Sequence, residues 1–405
     1  MEKKADRPCP LCGGATGEVL NTQAFVLPEG HPLARGYDVV CCGRCGFVYA
    51  DTTVTQAEYE RFYAESSKYE DDGTATGGGG VPWDEERLGD MARWLSVRVA
   101  DREARILDVG CANGGLLRHF QELGYRRVAG VDPAAACVVH TRRLGIEARQ
   151  GALGSVPAEL GKFDLVTVSH VLEHVQDLRG AVAALIPLLA EGGVVYVETP
   201  DAMRYAEMLL APFQDFNTEH INHFSPGMLD QFMGHAGFRR VAGGTKTLSL
   251  GAGQSYPALF GLYALERRAG AAGWERDVRL RAAVEEYITR SRRMWTEMAE
   301  RLEGLAAGGQ PMIVWGTGEL VMKLLAQTAL ARANIAMFVD GNPIHHGRVL
   351  GGVTIQAPAQ LKQVPADWPI LVGTLLHDRE IVARVRNELK LANPIVLLRD
   401  RDAGG

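Results

Sequence analysis

Three features of the sequence predict an α/β protein with more than one sheet. Two runs alternate short apolar strands with helix-length segments, and two cysteine knuckles stand ahead of them. In the first run, strands are read at 104–109 (ARILDV), 126–131 (RRVAGV), 162–169 (KFDLVTVS) and 192–199 (GGVVYVET). Each is rich in Val, Ile or Leu and is followed by a turn and a helical segment, the pattern of a doubly wound parallel sheet. The second run starts at PMIVWG, with strands expected at 311–316, 334–340, 369–373 and 394–398. The expected division is a four-cysteine module over 1–65, a first sheet domain over 66–245, a helical connector over 246–305 and a second Rossmann-like α/β domain over 306–405.

The connector rests on periodicity. Leu280, Val284, Ile288, Trp295, Met298, Leu302 and Leu305 recur at near-heptad spacing, which predicts a long amphipathic helix over 275–305. The run DDGTATGGGG at 71–80 reads as a loop or lid.

Composition narrows the class. The chain has 405 residues, 46% hydrophobic and 23% charged, values of a globular protein rather than a disordered or fibrous one. Acidic residues outnumber basic ones, 49 to 43, so the surplus of positive charge expected of a nucleic-acid partner is absent. No apolar stretch reaches the length of about 18 residues that a membrane span needs. The start, MEKKADRPCPLC, is charged and lacks the apolar core of a signal peptide, so a cytoplasmic location is expected, as monomer or homodimer, with no membrane or nucleic-acid partner.

Cys9-Pro-Leu-Cys12-Gly and Cys42-Gly-Arg-Cys45-Gly are two CxxC knuckles. Each puts two thiolates on one tight turn, and two such turns make a tetrahedral four-thiolate site suited to zinc. The spacer between them has room for a small β-hairpin. Cys41 can substitute for Cys42, but Cys42 keeps the CxxC spacing. Four thiolates leave no open position, so the expected role of Cys9, Cys12, Cys42 and Cys45 is structural.

ILDVGCANGGLL at 106–117 runs from a strand through a Gly-rich turn into a helix. Gly110, Ala112 and Gly114 let a ligand approach the backbone. Asp132 stands about 20 residues downstream, where an acid can accept both ribose hydroxyls of a nucleoside. A nicotinamide dinucleotide and S-adenosylmethionine (SAM) both meet that description. The loop separates them, because it reads D-x-G-x-A-x-G instead of GxGxxG. SAM has no phosphate but has an amino-acid ammonium, which Asp108 can hold directly or through water. With these residues the segment resembles the class I SAM-dependent methyltransferases. FDLVTVSHVLEHV at 163–175 also resembles that family. The resemblance implies that Gly110, Cys111, Ala112 and Gly114 form the cofactor loop and that Ser169 and His170 approach its methionine end. His174 lies one turn beyond His170. Near Ala152 many relatives carry an acid for the adenine amine, whereas this chain is apolar there, which leaves adenine to backbone amides.

FNTEHINHFSP at 216–226 concentrates Glu219, His220 and His223 after the strand at 192–199. His220 suits a general base, since its ordinary pKa is near neutrality. Glu219 can orient a histidine or hold a substrate hydroxyl. Ser225-Pro226 reads as a helix cap and first residue, and His223 as a core residue.

Taken together, the four-cysteine module, the SAM loop, His174, the Glu219-His220 pair before Phe224-Ser225, and the second sheet resemble the sugar C-methyltransferases, which methylate C3 of deoxy-nucleotide-sugars. The resemblance covers nearly the whole chain. It implies proton-transfer work for Glu219 and His220, assistance from His174, and a nucleotide-sugar as the small-molecule substrate. It also implies that the third domain, carrying VWGTGEL at 314–320, helps hold that substrate. Two positions depart from the pattern. Asn217 stands where the family has tyrosine, and the upstream active-site tyrosine corresponds only loosely to Tyr63 or Tyr69 around Ser66-Ser67. O-methylation of a sugar, methylation of another natural-product intermediate and, further off, RNA methylation stand as alternatives.

Overall fold

A computed structural model describes residues 2–66, 80–251, 253–266 and 273–399. Ser67, Tyr69 and all but the last residue of the 71–80 run lie outside these. Packing divides the chain into two compact units, neither of them contiguous. One comprises Met1–Leu20, Val39–Met208 and Glu219–Val284; the other comprises Asn21–Asp38, Leu209–Thr218 and Glu285–Gly405.

The chain opens on strands β1 (Glu2–Lys4), β2 (Thr16–Ala24), β3 (Gly36–Cys42) and β4 (Val48–Asp51). β2 and β3 are neighbours, the hairpin expected between the knuckles. Helices α1 (Gln56–Ser66) and α2 (Pro82–Ser96) follow. The first α/β unit then runs β5 (Arg105–Val109), α3 (Gly115–Glu122), β6 (Arg127–Asp132), α4 (Ala135–Arg143), β7 (Glu147–Gln150), β8 (Phe163–Ser169), α5 (Leu178–Leu185) and β9 (Leu189–Pro200). It closes with β10 (Asn222–His223), α6 (Pro226–His235), β11 (Phe238–Gly251) and β12 (Gln254–Leu265).

Seven strands make the central sheet, in the order β11-β12-β9-β8-β5-β6-β7. β5 to β9 are mutually parallel, and β12 pairs antiparallel with both β9 and β11. Leu95, Ile106, Leu117, Phe120, Leu165 and Tyr196 belong to the core that fixes α2 and α3 to it. All four strands expected here are present. β7 escaped prediction because only Ala148 of its four residues is buried, so it carries no apolar run.

The helical connector expected from 246 needs correction. Residues 246–251 and 254–265 are strand and complete the central sheet. β11 alternates exposed and half-buried residues with almost no apolar face, as an edge strand does. β12 contains Pro257 and Gly261, which argue against a strand on local grounds. Pairing along nearly their whole lengths overrides those propensities.

The long helix is α7 (Val278–Ala307). Leu280, Val284, Ile288, Met298 and Leu302 are buried along it, with Trp295 and Leu305 partly so. From Glu285 it belongs to the second unit, with β13 (Met312–Trp315), α8 (Glu319–Gln327), β14 (Ile335–Val339), β15 (Val349–Leu350), β16 (Val353–Gln356), β17 (Ile370–Val372), α9 (Asp378–Ala383) and β18 (Ile395–Leu397). Its sheet order is β15-β16-β14-β13-β17-β18, parallel except for β15, and all four expected strands are present. Among the described residues no helix is long and apolar enough to cross a membrane.

Candidate active site

In the central sheet the chain goes from β5 through β6 to β7 on one side, then returns to β8 on the other. Where strand order reverses, the carboxyl ends of β5 and β8 open a crevice. A cavity of about 280 Å³ occupies it. Of the residues picked from the sequence, Asp108, Gly110, Cys111, Ala112, Asp132, Ser169, His170, His174 and His220 line it. Gly114 does not. It caps α3 at φ +81°, against Thr141.

The loop after β5 is tightly specified. Gly110 has φ +79°, and a Cβ there would come within 2.6 Å of Val171 Cγ2, so only glycine fits. Ala112, at φ 44°, donates its N–H to Asp132 Oδ2 at 2.9 Å, and Ala134 donates to Oδ1 at 2.9 Å. Thr167 Oγ1 donates to Asp108 at 2.6 Å. Burial pushes both carboxyls up to about 6, against the ordinary 3.8, with Asp132 adding repulsion at Asp108. Ser169 Oγ is buried without a hydrogen-bond partner among the described residues. Two desolvated acids and an unsatisfied hydroxyl suit a ligand that brings an ammonium and vicinal hydroxyls. SAM brings both.

Beside this lies an ionic chain that sequence reading missed. His170, at φ +53°, has Nδ1 3.0 Å from Glu173 and Nε2 3.3 Å from Glu198. Burial opposes its charge, but the two carboxylates outweigh that and raise it to about 9, an imidazolium. Glu198, fully buried near the end of β9, also meets Lys246 Nζ at 2.6 Å and the Tyr196 hydroxyl. Burial disfavours its charge too, yet Lys246, His170 and Arg87 hold it well below the carboxylate range. Arg87 pairs with Asp84 at 2.7 Å, and both line the cavity. The only local signal was an acid at the inner end of an otherwise apolar strand.

Also lining the cavity, Tyr63, His174 and His220 stack edge to face. Ring centroids are 5.6 Å apart for Tyr63 with His174 and 4.9 Å for His174 with His220. His174 Nδ1 lies 3.1 Å from the Glu219 carbonyl oxygen and 2.9 Å from the Tyr63 hydroxyl. A carbonyl only accepts, so Nδ1 carries a proton, which in the neutral ring leaves the lone pair on Nε2. Glu219 thus meets His174 through its carbonyl, and it is not among the lining residues. Tyr63, only a loose match in sequence, belongs to the cluster. Asn217 lies in the other unit, where it accepts from the Tyr37 hydroxyl at 2.7 Å.

The cysteine module positions this wall. β10 pairs with β4, setting Asn222 opposite Tyr49 and His223 opposite Val48, and so fixes the chain two residues after His220. The buried Arg7 guanidinium donates to the carbonyls of Ala50, Ile221, Val175 and Gln176 and to Asn222 Oδ1. His223 is buried, and burial lowers it to about 3, so it is a neutral core residue as read from the sequence. Ser225 caps α6 by accepting from Met228 N at 3.1 Å, also as read.

Cys9, Cys12, Cys42 and Cys45 form one buried cluster, and Cys41 stays outside it. Sγ atoms of Cys9 and Cys45 are 3.6 Å apart and those of Cys12 and Cys42 are 3.5 Å apart. Sulfurs bound tetrahedrally at about 2.3 Å lie about 3.8 Å from one another, so the cluster has the size of a four-thiolate metal centre and not of disulfides.

Residues 83–242 match the family described as a methyltransferase domain. The ubiquinone biosynthesis O-methyltransferase of Chromobacterium violaceum is 32% identical over 176 residues, 40% of this chain and 72% of that protein. With the Gly-rich loop, its paired acid and the switch-point cavity in place, the chain belongs to the class I SAM-dependent methyltransferases. The namesake enzyme of Azotobacter vinelandii is 34% identical over 113 residues, 26% of this chain and 48% of that protein. A probable SAM-dependent methyltransferase of Mycolicibacterium smegmatis is 30% identical over 130 residues, 32% of this chain and 49% of that protein. The chain thus spans about half the length of these two relatives. A solved magnesium protoporphyrin IX methyltransferase of Synechocystis with bound SAM is similar at 14% identity and TM-score 0.38, over 52% of this chain and 96% of that one.

Proposed function

We propose that the protein transfers the methyl group of SAM to a small molecule, with a nucleotide-activated deoxysugar as the first acceptor to test. The observation that carries this reading is that the Tyr63–His174–His220 wall faces the same cavity as the Asp108–Asp132 loop. SAM, when bound, supplies an electrophilic methyl group on a sulfonium. Asp132 would take the ribose hydroxyls, Asp108 the ammonium, and the backbone at Gly110 to Ala112 the close approach. Cys111 packs behind that loop. Ser169 and His170 would flank the methionine end. His220 would take the acceptor's proton, and His174, its tautomer set by the Glu219 carbonyl, would assist. Holding acceptor and donor in line would contribute much of the rate. Zinc is the metal we assign to the four cysteines, in a closed structural role.

A second reading has an oxygen acceptor outside the sugars. It is favoured by the names of the relatives, two of which are O-methyltransferases of ubiquinone biosynthesis. RNA is the weakest acceptor, given the net charge of -6.

The test is mass spectrometry of reactions with SAM and a panel of nucleotide-sugars that includes 4-keto-6-deoxy and 3-keto forms, beside phenolic acceptors. One added methyl on a nucleotide-sugar supports the first reading, and NMR of the product distinguishes carbon from oxygen attachment. His220→Ala should cut turnover at least a hundredfold and leave SAM affinity within about twofold. Equal loss of both would remove His220 from the proton-transfer role.

A further inference from the structure

The acceptor wall contains a donor set that proton transfer alone does not require. Glu173, His174 and His220 each bring a nitrogen or carboxylate oxygen within 4.8 Å of the other two. All three line the cavity. Glu173 Oε1 stands 4.0 Å from His174 Nε2. Nitrogen and oxygen ligands held tetrahedrally at about 2.1 Å lie about 3.4 Å apart, so the cluster must contract by roughly an ångström. Both histidines are only half-buried.

The supporting contacts are those of a metal centre. A ligating histidine usually donates its other N–H to a carbonyl or carboxylate, which fixes the ring and the tautomer. His174 does this: Nδ1–H points at the Glu219 carbonyl at 3.1 Å and Nε2 points at Glu173. Glu173 is anchored in turn, with Thr199 donating to Oε2 at 3.2 Å and His170 Nδ1 lying 3.0 Å from Oε1. Its own backbone carbonyl accepts from Ile221 N at 2.8 Å, which ties the residue after His220 to Glu173. Ligands from two separated segments are thus cross-braced.

We propose that Glu173, His174 and His220 bind a divalent first-row transition ion, a second metal centre distinct from the four-thiolate one, and that the ion holds the acceptor through an oxygen. Two imidazoles and one carboxylate are a borderline donor set that takes Zn²⁺, Co²⁺ or Fe²⁺ in preference to Mg²⁺ or Ca²⁺. Three protein ligands leave coordination positions open, and these face the cavity, unlike the closed cysteine site. The ion would polarise a hydroxyl, enol or α-hydroxyketone oxygen. This narrows the acceptor class and rests on the reading of the cavity as the acceptor's. A metal-bound His220 has no lone pair left for a proton, so this proposal and the base role of His220 proposed above exclude each other, and the experiment decides between them.

The experiment is equilibrium dialysis of the full chain against Zn²⁺ and, separately, Co²⁺, with bound metal counted by mass spectrometry and Co²⁺ sites read by visible absorption. We expect two equivalents. One Co²⁺ should show intense thiolate charge-transfer bands and the other only weak d–d bands. His220→Ala and the isosteric Glu173→Gln should each weaken the second equivalent at least tenfold and leave the thiolate bands unchanged. SAM affinity, measured in parallel, reports that the fold and cofactor loop survive. A single equivalent in the unmodified protein, or a second equivalent that survives both substitutions, overturns the proposal. Neither readout depends on turnover. If one equivalent binds while His220→Ala still abolishes methyl transfer, the metal is lost and the proton-transfer reading stands.

Discussion

Each parallel sheet ties its glycine-bearing turn to an aspartate at the end of the next strand. In the first unit Ala112 N–H donates to Asp132 and Gly110 N–H to the Val131 carbonyl; in the second Thr317 N–H donates to Asp340 and Gly316 N–H to the Val339 carbonyl. Both aspartate bonds are 2.9 Å. The surroundings then diverge. Asp340 also accepts from the Thr317 hydroxyl at 2.6 Å and the Asn342 N–H at 2.8 Å, and His345 Nδ1 lies 3.1 Å away. Burial works against its charge, but His345 and Thr317 outweigh it and hold the carboxyl at about 2. Asp132 receives two backbone N–H groups and no side-chain donor among the described residues, and it is pushed up to about 6. Two residues before the first glycine, Asp108 has Val314 as its counterpart. The same turn is therefore self-satisfied in one sheet and held ready for a ligand in the other. Topology supplies the turn, and the side chains around it decide whether it is a site.

That contrast is testable through the paired acids. Asp132→Ala should weaken SAM binding about a hundredfold, close to 3 kcal/mol, in calorimetry, whereas Asp340→Ala should leave it within about twofold. Comparable losses from both would mean that the second turn also contributes to the cofactor site. Stability should respond in the opposite sense. Asp340→Ala removes a carboxylate with several donors and should cost about 2 kcal/mol in urea unfolding at pH 7. Asp108→Asn keeps an acceptor for Thr167 and discards a poorly solvated charge. It should raise stability at pH 8 by about 1 kcal/mol while weakening SAM binding.

The pH dependence follows the same division. Asp108 and Asp132 titrate near 6 in the folded chain against 3.8 unfolded, so the folded state holds protons longer. Stability of the unliganded protein should fall as pH rises from about 4 to about 6, and SAM affinity should strengthen over the same interval as the acids ionise. Asp340 is depressed, so its contribution is present above its ordinary value and disappears as pH falls toward 2. Thermal melts with and without SAM across pH 4 to 8 would show the two curves separating. A flat difference would mean that neither acid contacts the cofactor. The smallest effect, about 1 kcal/mol, is expected for Thr317→Val, which removes one hydroxyl bond but keeps the backbone N–H.

The turn proposed to hold the cofactor was legible because its residues are local. Asp108, Gly110 and Ala112 lie on one strand-to-helix turn, and Asp132 ends the next strand of the same βαβ unit. The two CxxC knuckles were legible for a similar reason, since each turn shows its own spacing. The acceptor wall was only half legible. His174 and His220 were named and Tyr63 was one of two loose matches, but Glu198, Arg87 and Lys246 were not linked to them, because they come from β9, α2 and β11; Glu173, although adjacent to His174 in the chain, carried no signal of its own.

Local spacing thus specified the eight expected parallel strands, the two glycine-bearing turns, the cysteine quartet and the paired acids Asp108 and Asp132, since short-range backbone geometry and hydrophobic period are written residue by residue. Which distant segments meet was settled by burial across the whole sheet. Arg7 reaches five acceptors on three separate chain segments, β10 adds to β4, and β11 and β12 join the central sheet against their local propensities. Pairings between segments far apart in the chain leave no periodic trace in either partner, so they exist only once the core has closed around them.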